Sequence, residues 1–477
     1  MVAAAWWGLA PPVADVAAHT YRAWLFETEG FALVNAQWYG GHHVPGYSLL
    51  FPPLGALLGA HGAVAAAGAA SGAILVALAR DVAPGRPAVA WLLASGAAAN
   101  LVAGRGPFAL GIALAAGALL ARRHRGRAIA LALLTAAASP LAGLFLCLAG
   151  AAMRSPRLVI APAVLAVLLV SLFPEGGAER FVATAFWPML ALTAAAAALV
   201  PGRWRVAAVF FACLLVAAFA LRTPVGQNAA RLGVLAGPAL LAVAGRGPKP
   251  ALILVGAGLL YLQLLPAVRA IAESRGDPAT TAAFHAPLLA FLDRAAAPGD
   301  RVEIAFTRNH WEAAHVAPRR ALARGWERQL DLRVNGLFYD GRPLTAERYE
   351  RWLRREGIRW VALPAAPLDF SALQERALLE SEPGYLRRAF ESPGWRVWEL
   401  RDAPTPVDGP GRIVATGPQR IELRAAAAGR LRLRTRHSRF WRVTTGRGRV
   451  VRSRDGRLLV DVLAPGRLVL RAAAGPG

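Results

Sequence analysis

Three residues near the start of the chain have the types and spacing of a catalytic or anion-binding face: Asp15, His19 and Arg22. On a helix, positions i, i+4 and i+7 fall on one side, so a carboxylate, an imidazole and a guanidinium project together. Such a set can take a proton from a hydroxyl and hold a phosphate while it does so. An ordinary solvated face with an internal ion pair would look the same, so the surroundings decide. The following stretch carries Glu27, Glu29 and Trp38-Tyr39-Gly40-Gly41-His42-His43. Two later loops add Asn100 and Arg105, then Gln227, Asn228 and Arg231. Polar groups collected at the ends of apolar segments are costly to bury and mark a candidate functional site.

Arg105, Arg222 and Arg231 flank two short loops, Gly104-Arg105-Gly106-Pro107 and Arg222-Thr223-Pro224-Val225-Gly226-Gln227-Asn228. Arginine suits phosphate because its planar fork donates two charge-assisted hydrogen bonds at once. Snorkelling toward lipid phosphates would place single arginines similarly. His310-Trp311-Glu312-Ala313-Ala314-His315 imitates a zinc-protease helix, but its histidines are five apart and the glutamate is displaced. His42 and His43 are adjacent, which suits joint ligation poorly, so no metal ligand set is assigned. The cofactor stays open, a divalent cation near Asp15 being compatible with the sequence. Phe440, Trp441 and Trp395 could stack on sugars, though aromatics on alternating strands more often fill a core.

Apolar segments must position these groups. The chain is 477 residues long and 56% hydrophobic, with mean hydropathy +0.40, more apolar than a soluble enzyme. Up to Pro266 the apolar residues form long runs broken by short basic or Gly/Pro loops; beyond it, charges recur every few positions. Runs of this kind read as membrane helices, since a helix satisfies its own backbone in hydrocarbon. The net charge of +25 rests almost wholly on arginine, Lys249 being the only lysine. Solvated arginines and cytoplasmic loops explain it better than a nucleic-acid surface, and no nucleic-acid partner is expected. Cys147 and Cys213 lie in apolar segments, which excludes a disulfide framework and a thiolate metal site.

Candidate spans run 62–80, 88–103, 106–121, 127–138, 141–153, 158–173, 181–200, 205–221, 230–245 and 250–266. The pair 127–138 and 141–153 could be one helix kinked at Pro140 or a hairpin turning at Ser139-Pro140. Charge favours the hairpin, because arginines 122, 123, 125 and 127 precede it and Arg154 and Arg157 follow it. With that choice, Arg80, Arg86, those six arginines, Arg203, Arg205, Arg246 and Lys249 fall at inside ends. Only Arg105, Arg180, Arg222 and Arg231 fall outside. This orients the protein with residues 13–61 and the C-terminal part on the external face.

Residues 1–12 are apolar but reach only about 18 Å, short of a hydrocarbon core of about 30 Å. They read as a first transmembrane helix whose beginning lies upstream. Residues 13–61 form an external loop, with an amphipathic helix over 14–29 and a Pro-interrupted interfacial or re-entrant piece from Tyr47 to Ala60. The bundle occupies 62–266, an extracytoplasmic α/β domain 267–405, and a small β-sandwich 406–477. In the soluble part, Arg301–Phe306, Ile358–Leu363 and Trp395–Leu400 read as strands and Thr345–Glu356 as a helix. A Pro/Gly-rich linker covers 403–411. Beyond it, Ile421–Leu423, Arg430–Thr435, Trp441–Thr444, Leu458–Val462 and Arg467–Leu470 alternate as short strands.

An acidic residue in the first external loop, then Trp38-Tyr39-Gly40-Gly41 and Tyr47-Ser48-Leu49-Leu50-Phe51-Pro52-Pro53, resembles the GT-C superfamily of polytopic glycosyltransferases. About eleven spans and a C-terminal extracytoplasmic domain complete the likeness. It looks most like a bacterial branch with an Asp-x3-His motif and a Gly-Arg-Gly-Pro-Phe turn, labelled as related to 6-pyruvoyl-tetrahydropterin synthase. The resemblance implies a bacterial cell-membrane enzyme that transfers sugar from a polyprenyl-phosphate donor to a cell-envelope glycan, lipid or protein, with inversion. It implies Asp15 as general base and His19 as the second catalytic-site residue, orienting Asp15 or binding the donor phosphate. Arg22, Arg105 and Arg231 would hold the donor phosphate, and Trp38, Tyr39, His42, His43, Gln227 and Asn228 the substrate. The family's second acidic residue is missing, Val16 standing next to Asp15. The alternatives are a transporter or flippase of a lipid-linked glycan and a non-catalytic membrane scaffold. Few mid-span charges and no internal repeat favour the enzyme over the transporter.

Overall fold

The structure, a computed structural model, describes residues 1–473 and divides into two compact units. The first, helical, comprises Met1–His19, Gly46–Arg275 and Arg328–Leu330; the second comprises Thr20–Pro45, Gly276–Glu327 and Asp331–Gly477.

The helical unit begins with α1 (Val2–Leu9), which stops where Ala10 turns left-handed before two prolines. Helix α2 (Ala14–Glu29) matches the helix expected over 14–29, but its first turns are packed inside protein rather than laid on a surface, Val13, Val16, Ala17, Ala18 and His19 all being buried. Then follow α3 (Phe51–Val82), α4 (Pro87–Val102), α5 (Gly106–Leu120), α6 (Arg125–Ala138), α7 (Pro140–Ala152) and α8 (Pro156–Leu172). The series closes with α9 (Ala183–Leu199), α10 (Gly202–Ala220), α11 (Arg231–Ala244) and α12 (Lys249–Ser274). Proline at the first turn starts α4, α5, α7 and α8, where its missing N–H costs nothing.

Three helices, α3, α10 and α12, are long and apolar enough to cross a membrane; α4, α7, α8 and α9 are apolar but shorter. Of these four, α4, α7 and α8 reach the lengths expected from their apolar runs, and α9 falls short of the expected 181–200. The Tyr47–Ala60 piece and the 62–80 span, expected as separate elements, run together in α3 across a break at Gly59 (φ 70°, ψ 155°). Pro266 was expected to end the last span, yet α12 continues through it to Ser274, a proline being tolerated where helix propagates on both sides. Large apolar side chains face outward, among them Ile160, Val164 and Val167 on α8 and Ile253, Leu254 and Val268 on α12. Such a surface suits hydrocarbon rather than water and supports membrane association. Inside, Gln263 is fully satisfied: it accepts from Ser95 Oγ (2.9 Å) and donates to the Leu92 and Leu235 carbonyls (3.2 and 3.1 Å), tying α12 to α4 and α11.

The chain does turn back at Ser139, which is extended (φ −159°, ψ 111°) and caps α7 by accepting from Ala142 N. Arg157 donates to the Arg122 carbonyl at 2.6 Å, so the start of α6 and the end of α7 lie at one place. Arg122 pairs with Asp81 at the end of α3 (2.7 Å), and Arg86 donates to the Val243 carbonyl at the end of α11 (2.6 Å). Arg205 donates to the Val200 carbonyl (3.0 Å) and Arg246 N to the Leu199 carbonyl (2.7 Å). Arg86, Arg122, Arg157, Arg205 and Arg246, all expected on one side, are thus each tied to a neighbouring helix end.

The second unit holds three sheets. Strands β1 (Arg301–Ile304), β2 (Ala321–Leu322), β3 (Ile358–Pro364), β4 (Leu386–Ser392) and β5 (Trp395–Leu400) make one, in the order β2-β1-β3-β5-β4. Both neighbours of β1 run parallel to it, whereas β5 is antiparallel to β3, with Val361 opposite Trp398. The helix Ala346–Glu356 that feeds β3 is capped by Thr345 and ends at Gly357 in the left-handed region (φ 66°). The remaining strands are β6 (Val407–Asp408), β7 (Gly411–Thr416), β8 (Arg420–Ala425), β9 (Gly429–Arg436), β10 (Trp441–Thr445), β11 (Gly448–Arg452), β12 (Arg457–Val462) and β13 (Gly466–Ala472). They form sheets β10-β13-β8-β7 and β11-β12-β9-β6 around Leu423, Leu431, Leu433, Trp441, Leu458 and Leu468. The 403–411 linker thus contains β6, and β7 and β11 were not anticipated. Outward arginines of this unit pair across strands, as Arg430 with Asp461 (2.9 Å) and Arg432 with Asp408 (3.0 Å).

Under the first sheet lies a buried cation. Arg324 reaches Asp331 (2.8 Å), Glu303 (3.4 Å) and Glu375 (3.6 Å), between the Phe306 and Phe338 rings, whose centroids lie 3.7 and 3.9 Å from its guanidinium carbon. Burial and mutual repulsion push the Glu303 carboxyl well up beside Glu375. Arg324→Leu leaves these acids without their counter-charge. It should destabilise the protein by about 3–5 kcal/mol, measured by denaturant unfolding followed by tryptophan fluorescence. An unchanged midpoint would contradict this account of the core.

Candidate functional site

At the end of the helical unit away from the basic cluster, the α4–α5 turn packs directly on the residues around Asp15. Gly104 adopts φ +75°, and a Cβ on it would meet Val13 Cγ2 at 2.6 Å and Val16 Cγ2 at 3.1 Å, with Asp15 Cβ at 3.7 Å. A Cβ on Gly106 would overlap the Phe51 ring and approach Val64 at 2.8 Å. Only glycine on both sides lets this turn sink between α2 and α3. Arg105 is carried between the two glycines, its backbone N–H donating to the Asn100 carbonyl (3.3 Å). Opposite, the Phe51 ring lies against the His19 imidazole at 4.9 Å. One small turn thereby gathers Asp15, His19 and Arg105.

Arg231 opens α11 and lies over the Phe108 ring at 5.6 Å, two residues into α5 from the same turn. Burial, then repulsion from Arg231, brings the Arg105 guanidinium down to about 9, with Asp15 and Tyr47 opposing. At about 9 the Arg105 guanidinium stays charged at neutral pH. An arginine that feels both a second guanidinium and a carboxylate can add an anion to that set.

Sequence reasoning missed Glu179. It is buried, and its backbone N–H donates to the Thr223 carbonyl at 2.9 Å, joining the 174–182 loop to the 221–230 loop. Gly226, at φ +41°, presses on the Glu179 backbone where no Cβ would fit. Burial pushes the Glu179 carboxyl up to about 7, with Arg328 and then Arg231 pulling it back. Residue type alone does not single it out, because Glu175 lies in the same Glu175-Gly176-Gly177-Ala178-Glu179-Arg180 loop. Gln227 is exposed and Asn228 half-buried on the turn leading into Arg231.

The other expected residues belong to the second unit, where each has a local partner. Arg22 pairs with Glu327 (2.8 Å) and lies over the Trp38 ring (5.9 Å). Trp38 stacks on Tyr21, with centroids 4.1 Å apart, and packs against Gly325. The Tyr39 hydroxyl donates to the Gly325 carbonyl and accepts from Glu327 N (3.0 Å), while Gln37 O accepts from Leu322 N (2.8 Å). His43 contacts the Ala32 carbonyl through Nε2 (3.0 Å), and burial brings it down to about 4, so it is neutral. His42 is half-buried beside it. The Trp-Tyr-Gly-Gly stretch therefore stitches residues 20–45 onto the α/β domain. His310 is buried with φ +55°, its ring stacked on Trp326 at 3.5 Å.

Glu179 gives the site a pH signature. Its folded carboxyl holds the proton more tightly than the ordinary carboxylate value of 4.5, so the unfolded chain ionises first as pH rises. Stability should be greatest below 4.5, fall toward about 7 and then level. Glu179→Gln should flatten that fall, and thermal unfolding of the detergent-solubilised protein across the window measures it. An unchanged slope would contradict the buried carboxylate. Compared with known proteins, the chain matches no family model, no curated protein and no solved structure.

Proposed function

We propose that the protein is a multi-pass membrane glycosyltransferase of the GT-C type, with its basic end cytoplasmic and the Asp15 end outside. The observation that carries this is Arg105, which feels the charges of both Arg231 and Asp15. A glycosyl phosphate donor needs both parts: cationic donors for the leaving phosphate and a carboxylate for the acceptor proton. In this mechanism the acceptor hydroxyl oxygen attacks the anomeric carbon while Asp15 takes its proton. The bond from that carbon to the phosphate oxygen breaks, and the electron pair leaves on the phosphate, where Arg105 and Arg231 stabilise it. A single displacement inverts the anomeric centre.

His19 positions rather than reacts, its ring fixing α2 against Phe51. Gln227 and Asn228 supply amides for sugar hydroxyls beside Arg231. Arg22 has its counter-ion in Glu327, which leaves the phosphate to Arg105 and Arg231.

Asp15→Asn should abolish sugar transfer, by about 10²–10⁴-fold, with folding intact, because the amide keeps the shape and cannot take the proton. Arg105→Ala should weaken donor use by roughly 1.5–3 kcal/mol. Protein in nanodiscs, given a polyprenyl-phosphate sugar and envelope glycan acceptors, supports the comparison. Equal transfer by wild type and Asp15→Asn would remove the base assignment. Movement of the lipid-linked sugar between leaflets without transfer would hand the role to a flippase.

A further inference from the structure

The opposite, basic end of the helical unit holds a cavity of about 370 Å³ with no part in the chemistry above. Its walls come from α3, α4, α5, α7 and α10 and from most of the length of α11, from Leu232 to Val243, and its depth is hydrocarbon: Leu75, Leu93, Ile112, Phe145, Leu235 and Leu240 line it. Charge appears only at one edge, in Asp81, Arg122 and Arg203, next to Trp204. The volume falls in the range of about 300–1,000 Å³ typical of built small-molecule sites.

The edge is not electrically neutral. Asp81 is already paired with Arg122 at 2.7 Å. Arg203 has no carboxylate partner among the described residues; its guanidinium lies over the Trp204 ring, 5.0 Å from the centroid. The rim thus carries one uncompensated positive charge above an apolar interior. A water-soluble anion would have no use for that interior, and a neutral hydrocarbon none for the charge. Tryptophan beside arginine is the pairing found at head-group depth, and basic pockets between membrane helices bind lipid head groups on the cytoplasmic side.

We infer that this cavity binds an anionic phospholipid, one acyl chain filling the space between α3, α5, α7 and α11 and the phosphate seated on Arg203. The inference rests on the membrane placement of the helical unit but not on sugar transfer, because the phosphate is seated on Arg203 at the basic rim, away from Asp15 and Arg105. The bound lipid fills the void between these helices and ties six of them together.

The test uses the whole protein in phosphatidylcholine nanodiscs carrying a minority of phosphatidylglycerol with a photoreactive acyl chain, and the converse preparation with photoreactive phosphatidylcholine. Peptide mapping should place the phosphatidylglycerol label on Phe145–Met153 and Leu235–Val243. Arg203→Glu should cut that label about tenfold or more, the loss of one charge-assisted contact. Ala236→Phe, which puts a ring into the cavity without touching the charge, should cut it as well, and the thermal unfolding midpoint of each variant shows that it is folded. Equal labelling by the two lipids would overturn the inference. So would label confined to the outward faces of α8 and α12, or label unaffected by Ala236→Phe. A protein that stays soluble without detergent or nanodisc would instead refute the membrane placement.

Discussion

Charge in the helical unit is confined to its two ends, and most of what the unit does follows from that confinement. A guanidinium or carboxylate among apolar helices must be paired, expelled to the rim or left to shift its protonation. At one end the rule is met by pairing with Asp81 and with free carbonyls at helix ends, as Arg86, Arg157 and Arg205 show. At the other end it is met only in part. Arg105 feels Asp15 and Arg231 feels Glu179, and Glu179 is drawn toward its neutral form by burial. The proposed phosphate would complete a balance that these groups leave incomplete.

The turn Gly104-Arg105-Gly106 converts sequence into that arrangement. Its outer residues matter for having no side chain: one faces Val13 and Val16, the other the Phe51 ring. Arg105 is thereby held close to Asp15 although ninety residues separate them in the chain. Phe51 does double duty, since the same ring braces His19. Substitution at either glycine would act on the site through backbone position rather than through chemistry.

Much of the architecture was legible in the sequence because it rests on local signals. The helix over 14–29, the boundary after Ala60 that α3 keeps as its break at Gly59, the turn at Ser139 and five of the sandwich strands follow from periodicity and from Pro, Gly and Ser placement. Strand β11 was hidden because Arg449 and Arg452 flank its two valines, and β7 because it follows a Gly/Pro linker without a break in composition. Pro266 misled in the other direction, being a helix interior residue. In the site, Asp15, His19 and Arg105 were legible from residue type at segment ends. Glu179 was not, since its importance comes from burial beside Arg231 and Arg328. The helical face shared by Asp15 and Arg22 was real, but Arg22 is claimed by Glu327, a partner 305 positions away that no local pattern reveals.

The claim at the centre is that Arg105 and Arg231 form a phosphate seat. Titration of a short-chain prenyl phosphate into the detergent-solubilised protein, followed by ³¹P NMR, tests it without requiring the sugar or acceptor. The account predicts saturable binding that Arg105→Gln with Arg231→Gln weakens by about a hundredfold, with Arg222→Gln, on the neighbouring exposed turn, leaving it unchanged. Binding of equal strength in the double variant would contradict it.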